Sequence, residues 1–202
     1  MKKIIILLLG IILLAFGTSI CNYTGLGIDP FNAFCIGGGR LTNIALGTFV
    51  LIAQFIIAAI VFFLDKKYIG IGTVIPMVTF GYALQFFNWL IGEFVSFEFL
   101  LFVKIIIFLF GMLIIALGMS IYMSCDLGMV PYDGLAFVIS EKIGKNAFAL
   151  RVVLDVSVAV LALFVKGPIN IGTVILAFGV GPLLNIVNNN VVNKLLLNWE
   201  DI

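Results

Sequence analysis

Six apolar runs, each close to twenty residues, divide the chain at roughly 4–22, 44–64, 71–91, 101–123, 147–165 and 171–191. A helix rises about 1.5 Å per residue, so runs of this length predict helices that reach across a hydrocarbon core about 30 Å thick. Between the first and second run, and again between the fourth and fifth, the pattern breaks into something shorter: Pro30 to Gly39 and Pro131 to Ile143. Proline is favoured in a first helical turn, and Asp29 stands before Pro30 as an N-cap. Both segments therefore predict short helices that cannot cross alone.

The pattern also repeats. Gly10 to Ile20 (GIILLAFGTSI) matches Gly111 to Ile121 (GMLIIALGMSI), Leu26-Gly27 and Pro30 match Leu127-Gly128 and Pro131, and Gln54 falls opposite Asp155. After a one-residue deletion, Ile71 to Ile75 recurs identically as Ile171 to Ile175, and Gly81, Leu84 and Asn88 meet Gly181, Leu184 and Asn188. Shared apolar composition does not produce this order of glycines, prolines and polar residues. The expectation is two tandem units of about 100 residues, 1–97 and 98–202, forming one integral membrane domain. Lys2-Lys3 followed by Ile4 to Phe16 also fits a signal peptide, but the run has a copy in mid-chain, which argues for a first membrane helix.

Span parity sets the relation of the units. Three crossings each, six in all, would invert one unit relative to the other; counting the short helices would give eight crossings and parallel units. Lysine and arginine counting gives eight inside and three outside for either arrangement. Segment length favours six, and both arrangements put both termini in the cytoplasm. The expected fold class is thus all-α: a polytopic bundle of six long spans and two half-helices, with eight spans as the alternative.

Composition agrees with a lipid-facing chain. Hydrophobic residues make up 63% and charged residues 10% of the sequence, against about 25% charged in soluble proteins. A formal charge of +1 offers no basic face to nucleic acid. Histidine is absent, and Cys21, Cys35 and Cys125 show no C-x-x-C spacing, so neither a metal site nor a bound cofactor is expected. Catalysis would rest on Asp155, Asp133 or a cysteine without a recognisable base nearby, and no enzyme is expected. The expected partners are membrane lipid and a small solute, with homo-oligomerisation left open.

Candidate chemistry gathers at the breaks in the apolar pattern. Irregular backbone is tolerated at membrane depth only when buried in protein or lining a wet cavity, and broken helices at matching positions of two halves point to a transport site; the alternative is an ordinary interfacial loop followed by a surface helix. Asp29, Pro30, Asn32, Pro131, Tyr132 and Asp133 are the candidate substrate-binding residues. Their carboxylates favour a cationic or zwitterionic solute and the helix N-termini an anion; both remain open. Arg151 and Asp155 are spaced as an i,i+4 pair, which would serve ion coupling or clamp the bundle, with Gln54 as the uncharged counterpart. Gly10 and Gly17, like Gly111 and Gly118, lie seven apart on one helix face and predict close helix packing. Gln85, Asn88, Asn185 and Asn188 mark the ends of the third and sixth runs, where hydrogen bonds between helices or a position at the membrane interface would explain them.

Over nearly its whole length the chain resembles the YczE/YitT family of bacterial inner-membrane proteins. The resemblance is carried by Leu26-Gly27 through Asp29-Pro30-Phe31, by Pro131-Tyr132-Asp133-Gly134-Leu135, and by the Gly72-Thr73 and Gly172-Thr173 steps. Asp29 stands where that family commonly has glycine, and Phe31 and Tyr132 replace a tryptophan and an arginine. The resemblance implies a bacterial inner-membrane location and supports the architecture; it implies no particular substrate. The functional expectation is a small-solute transporter or permease with a central site between the half-helix loops. The alternative is a non-transporting membrane scaffold or regulatory factor for a partner protein.

Overall fold

The computed structural model describes residues 2–94 and 100–188. Among them are eight α-helices: α1 (Lys2–Tyr23), α2 (Pro30–Thr42), α3 (Leu46–Leu64), α4 (Ile71–Phe94), α5 (Leu101–Met123), α6 (Pro131–Ile143), α7 (Ala147–Phe164) and α8 (Ile171–Val187). A short 3-10 turn at Lys66–Tyr68 joins α3 to α4, and no strand occurs among the described residues. Among the described residues all six apolar runs are helical, and four helices, α1, α3, α4 and α5, are long and apolar enough to cross a membrane. The expected unit boundary at 97/98, the side chain of Asn185, the last turn of the sixth run and Lys194 lie outside what is described.

Local chemistry explains the short helices. Asp29 caps α2, its Oδ1 accepting from the Asn32 N–H at 3.1 Å, and Pro30 occupies the first turn. The helix runs three residues past the expected Gly39, because the left-handed residue that ends it is Asn43, whose N–H returns to the Gly39 carbonyl. α6 also starts on proline but has no side-chain cap at Val130, and Gly144 ends it in the left-handed conformation.

α1 and α5 run antiparallel through the centre of the bundle. A Cβ on Gly10 would lie 2.7 Å from the Tyr122 nitrogen, and one on Gly17 2.8 Å from the Gly111 oxygen. Rising numbers in one helix meet falling numbers in the other. A Cβ on Gly118 would come within 2.5 Å of the Leu14 nitrogen, and one on Gly111 within 2.8 Å of Cys21 Sγ. The four glycines thus let two backbones touch, where packing rather than water exclusion holds helices together. Large apolar side chains such as Phe55, Phe63 and Phe164 point outward, fully in keeping with a lipid surround.

α1 also packs on α4 and α5 on α8, while α2 and α6 each lie between α3 and α7. Backbone bonds fix the loops that lead into the half-helices. The Leu26 carbonyl accepts from Gly172 N–H at 2.7 Å, and the Leu127 carbonyl from Gly72 N–H at 2.8 Å. Gly27 and Gly128 have φ of 116° and 123°, and a Cβ there would meet the hydroxyls of Thr173 and Thr73 at 2.6 and 2.8 Å. Glycine is required at both positions by conformation and by space.

Candidate functional site

The first turns of α2 and α6 meet across an internal cavity of about 90 Å³. Asp29, Pro30 and Asn32 line it from one side, and Val130, Tyr132 and Asp133 from the other; Pro131, expected with them, stands between Val130 and Tyr132 in sequence and is not part of the lining. α3 contributes Gln54 and α7 contributes Arg151 and Asp155; Ile11, Phe80, Ile115 and Leu176 supply apolar wall. The Phe31 and Tyr132 rings stack with centroids 4.8 Å apart, joining the two half-helix starts directly.

Each half-helix carries its own polar network. At α2 both oxygens of Asp29 are engaged by Asn32, Oδ1 by the backbone N–H and Oδ2 by the side-chain Nδ2 at 2.8 Å. Asn32 Oδ1 is buried without a hydrogen-bond partner. At α6, Asp133 Oδ1 pairs with the Arg151 guanidinium and Oδ2 accepts from the Tyr122 hydroxyl at 2.6 Å. The Tyr132 hydroxyl donates to Asp155 Oδ1 at 2.7 Å, and the Tyr132 N–H reaches Gln54 Oε1 at 3.3 Å.

The i,i+4 pair expected from spacing is present but secondary. Arg151 Nε stands 3.9 Å from Asp155 Oδ2, whereas the close partner is Asp133 on another helix. The long arginine stem reaches past its own helix to the first turn of α6, where a carboxylate is better placed. Gly10, Gly17, Gly111 and Gly118 sit on the α1/α5 seam, and none of them lines the cavity.

Two partners of the site were not evident in the sequence. Tyr122 is fully buried and matches Cys21 in the repeat, so only the exchange of a thiol for a phenol marked it. Phe31 reads as ordinary apolar lining until its ring is seen against Tyr132. Of the polar span ends, Asn22 donates to Asn88, Ser120 to Asn188, and Gln85 accepts from the Gly47 N–H at the start of α3.

Charge in the cavity is unbalanced. Asp29, Asp133 and Asp155 face a single guanidinium, and the N–H groups of Asn32 and Tyr132 at the two helix starts are already taken by protein oxygens. Among the described residues no group of three or more His, Cys, Asp or Glu side chains is arranged to hold a metal ion, and the three cysteines are buried and free.

Helices of this length and apolarity, wrapped outward in large hydrophobic side chains, define a multi-pass membrane protein. The chain belongs to a family described as a family of unknown function (DUF6198), whose model matches residues 1–189. It is 30% identical over 176 residues to the uncharacterized membrane protein YczE of Bacillus subtilis, covering 87% of this chain and 80% of that one. It is 28% identical over 179 residues to YyaS of the same organism, covering 88% of each chain. A further relative, an uncharacterized protein of Haemophilus influenzae, is 27% identical over 191 residues, covering 93% of this chain and 84% of that one. No solved structure matches the chain.

Proposed function

We propose that the protein is a non-enzymatic transporter of a small solute in the bacterial cell membrane, with its site in the cavity between the half-helices. The observation that carries this reading is the meeting of two half-helix starts across an acidic internal cavity. Discontinuous helices at matching positions of two halves are how many transporters present backbone and charge to a solute at mid-membrane. The carboxylate excess favours a cationic or zwitterionic solute over an anionic one.

The same reading has six crossings, both termini in the cytoplasm, and the two units as inverted repeats. Antiparallel α1 and α5 support it, since they would be the first and fourth crossings; in an eight-crossing chain they would run the same way. Reciprocal contacts of the Leu26 and Leu127 carbonyls with Gly172 and Gly72 support an exchange of the units by a pseudo-two-fold axis. Lys67 pairs with Glu141, which joins the end of α3 to the end of α6 on one side, the cytoplasmic side in this topology.

Purified protein reconstituted in liposomes tests transport: a panel of amines, amino acids, sugars and organic acids should include at least one solute taken up above protein-free vesicles. Folded protein that moves none of them, yet copurifies with a defined partner, would make it a scaffold. Single cysteines at positions 40 and 67 test topology in cells, where an impermeant reagent should reach position 40 only. Labelling of 67 but not 40 would replace six crossings by eight.

A further inference from the structure

We propose that the cavity binds a compact organic cation bearing N–H donors, an ammonium or guanidinium group, with Asn32 Oδ1 as its acceptor and Asp29 as its countercharge. This deepens the central-site reading above, but it is a statement about binding and can fail or hold apart from transport.

The acceptor comes first. An asparagine amide can be placed either way round, and its hydrogen bonds decide. Here the nitrogen is committed to Asp29 Oδ2 at 2.8 Å, so the atom left over is the oxygen. Asn32 is only 5% exposed, lines the cavity, and its Oδ1 has no partner. A buried acceptor without a donor costs about 1–3 kcal/mol, so a ligand donor arriving there relieves a cost already present.

The charge comes second. Asp133 has Arg151, and Asp155 has the same guanidinium at longer range, but no lysine or arginine among the described residues forms an ion pair with Asp29. Among the described residues its hydrogen-bond donors come from neutral Asn32. A buried carboxylate is normally paired, and here the missing cation and the missing donor fall on adjoining residues. A ligand supplying both at once meets both needs.

The shape of the site favours a polyatomic cation over a bare one. Among the described residues the acidic groups do not converge as a metal-ligand set, so a naked ion would lack the dense oxygen shell it requires. Separate N–H groups can reach separate acceptors. Phe31 and Tyr132, stacked on one another, line the same cavity and add an aromatic wall that favours a cation, and a volume of about 90 Å³ suits a group of a few heavy atoms.

Methylammonium and guanidinium, with tetramethylammonium as a cation lacking N–H donors and acetate as an anion, test the proposal by thermal shift of the detergent-purified protein at constant ionic strength. The first two should raise Tm saturably. Tetramethylammonium should bind at least tenfold more weakly, and Asn32→Leu should weaken methylammonium at least tenfold. Equal stabilisation by tetramethylammonium, a response to acetate alone, unchanged affinity in Asn32→Leu, or no saturable response to either donor cation would overturn it. The contrast among ligands needs no variant, so a misfolded Asn32→Leu leaves the test intact. Binding without uptake of any solute would refute transport and leave the site, whereas uptake of a solute without binding of either donor cation would do the reverse.

Discussion

Leu26 and Leu127 offer their carbonyls to Gly172 and Gly72 over nearly equal distances, yet the carboxylates that follow them in the two units, Asp29 and Asp133, live in different company. Asp29, which caps its own helix, is held by a neutral asparagine three residues on. Asp133, one turn into α6, is held by an arginine and a tyrosine from other helices. The backbone cradle is therefore shared while the chemistry on it is not: α6 carries a closed ionic network, and α2 an acidic group and an amide oxygen that remain open. Across the cavity the same asymmetry recurs, with neutral Gln54 in α3 opposite the charged pair in α7. One half of the site is internally paired, whereas the other holds a carboxylate without an ion pair and an amide oxygen without a donor among the described residues.

The sharpest way to break this contrast is to open the closed half. Arg151→Met removes the one cation from a cavity with three carboxylates, and loss of one partner of a buried pair costs about 3–5 kcal/mol. The variant should accumulate poorly and lose most of its thermal stability in detergent. Adding Asp133→Asn should restore more of it than adding Asp155→Asn, because Asp133 is the close partner. Equal rescue by both would mean that the network is held by charge in general and not by the α6 contact.

Next in size are the glycines of the shared cradle. Gly27→Ala and Gly128→Ala each place a Cβ at positive φ, about 1–2 kcal/mol, and drive it against a threonine hydroxyl and backbone, about 1–3 kcal/mol more. The two changes should cost nearly the same in thermal or denaturant unfolding. A large difference between them would show that the cradles are unlike beneath their similar bonds.

A third comparison makes one chemical change on both half-helices. Asp29→Asn keeps an N-cap acceptor, and asparagine caps about as well as aspartate, so the loss should stay below about 0.5 kcal/mol. Asp133→Asn strips Arg151 of its close counterion and should cost about 1–3 kcal/mol. Unfolding of both variants in the same detergent reads the contrast, which reversed effects would abolish.

Much of this was legible in the chain. The apolar runs, the two prolines, the Asp29 cap and the seven-residue glycine spacing each follow from local rules of helix length, capping and close packing, and the helices stand where those rules put them. The partner of Arg151 was less legible, because spacing reveals only neighbours on the same helix, and the better carboxylate lies on α6. The orphaned Asn32 oxygen could not be read at all, since its state depends on where Asp29 points and on what the opposite wall leaves empty.

The smallest effect is expected where the outer ends of the half-helices are fastened. α2 is fastened by backbone contact: a Cβ on Gly37 would lie 2.5 Å from the Val165 oxygen. α6 is fastened by Lys67 and Glu141, both more than half exposed, with Asp65 a further 3.6 Å contact of the lysine. The hydrogen bond from Lys67, and a second from Tyr68, hold the Glu141 carboxyl below its usual range. Because the folded value is depressed, the pair's contribution is present above the unfolded carboxylate value of about 4.3 and is lost as pH falls through the folded one. Exposed pairs are also screened, with a Debye length of about 3 Å at 1 M salt. Lys67→Ala should therefore lower Tm slightly at pH 7 and low salt, and the difference from wild type should shrink both at 1 M salt and below pH 4. Gly37→Ala, in contrast, should cost stability under all of these conditions. A Lys67→Ala deficit that ignores pH and salt would mean that α6, like α2, is fastened by packing, and that the two ends do not differ as the inner ends do.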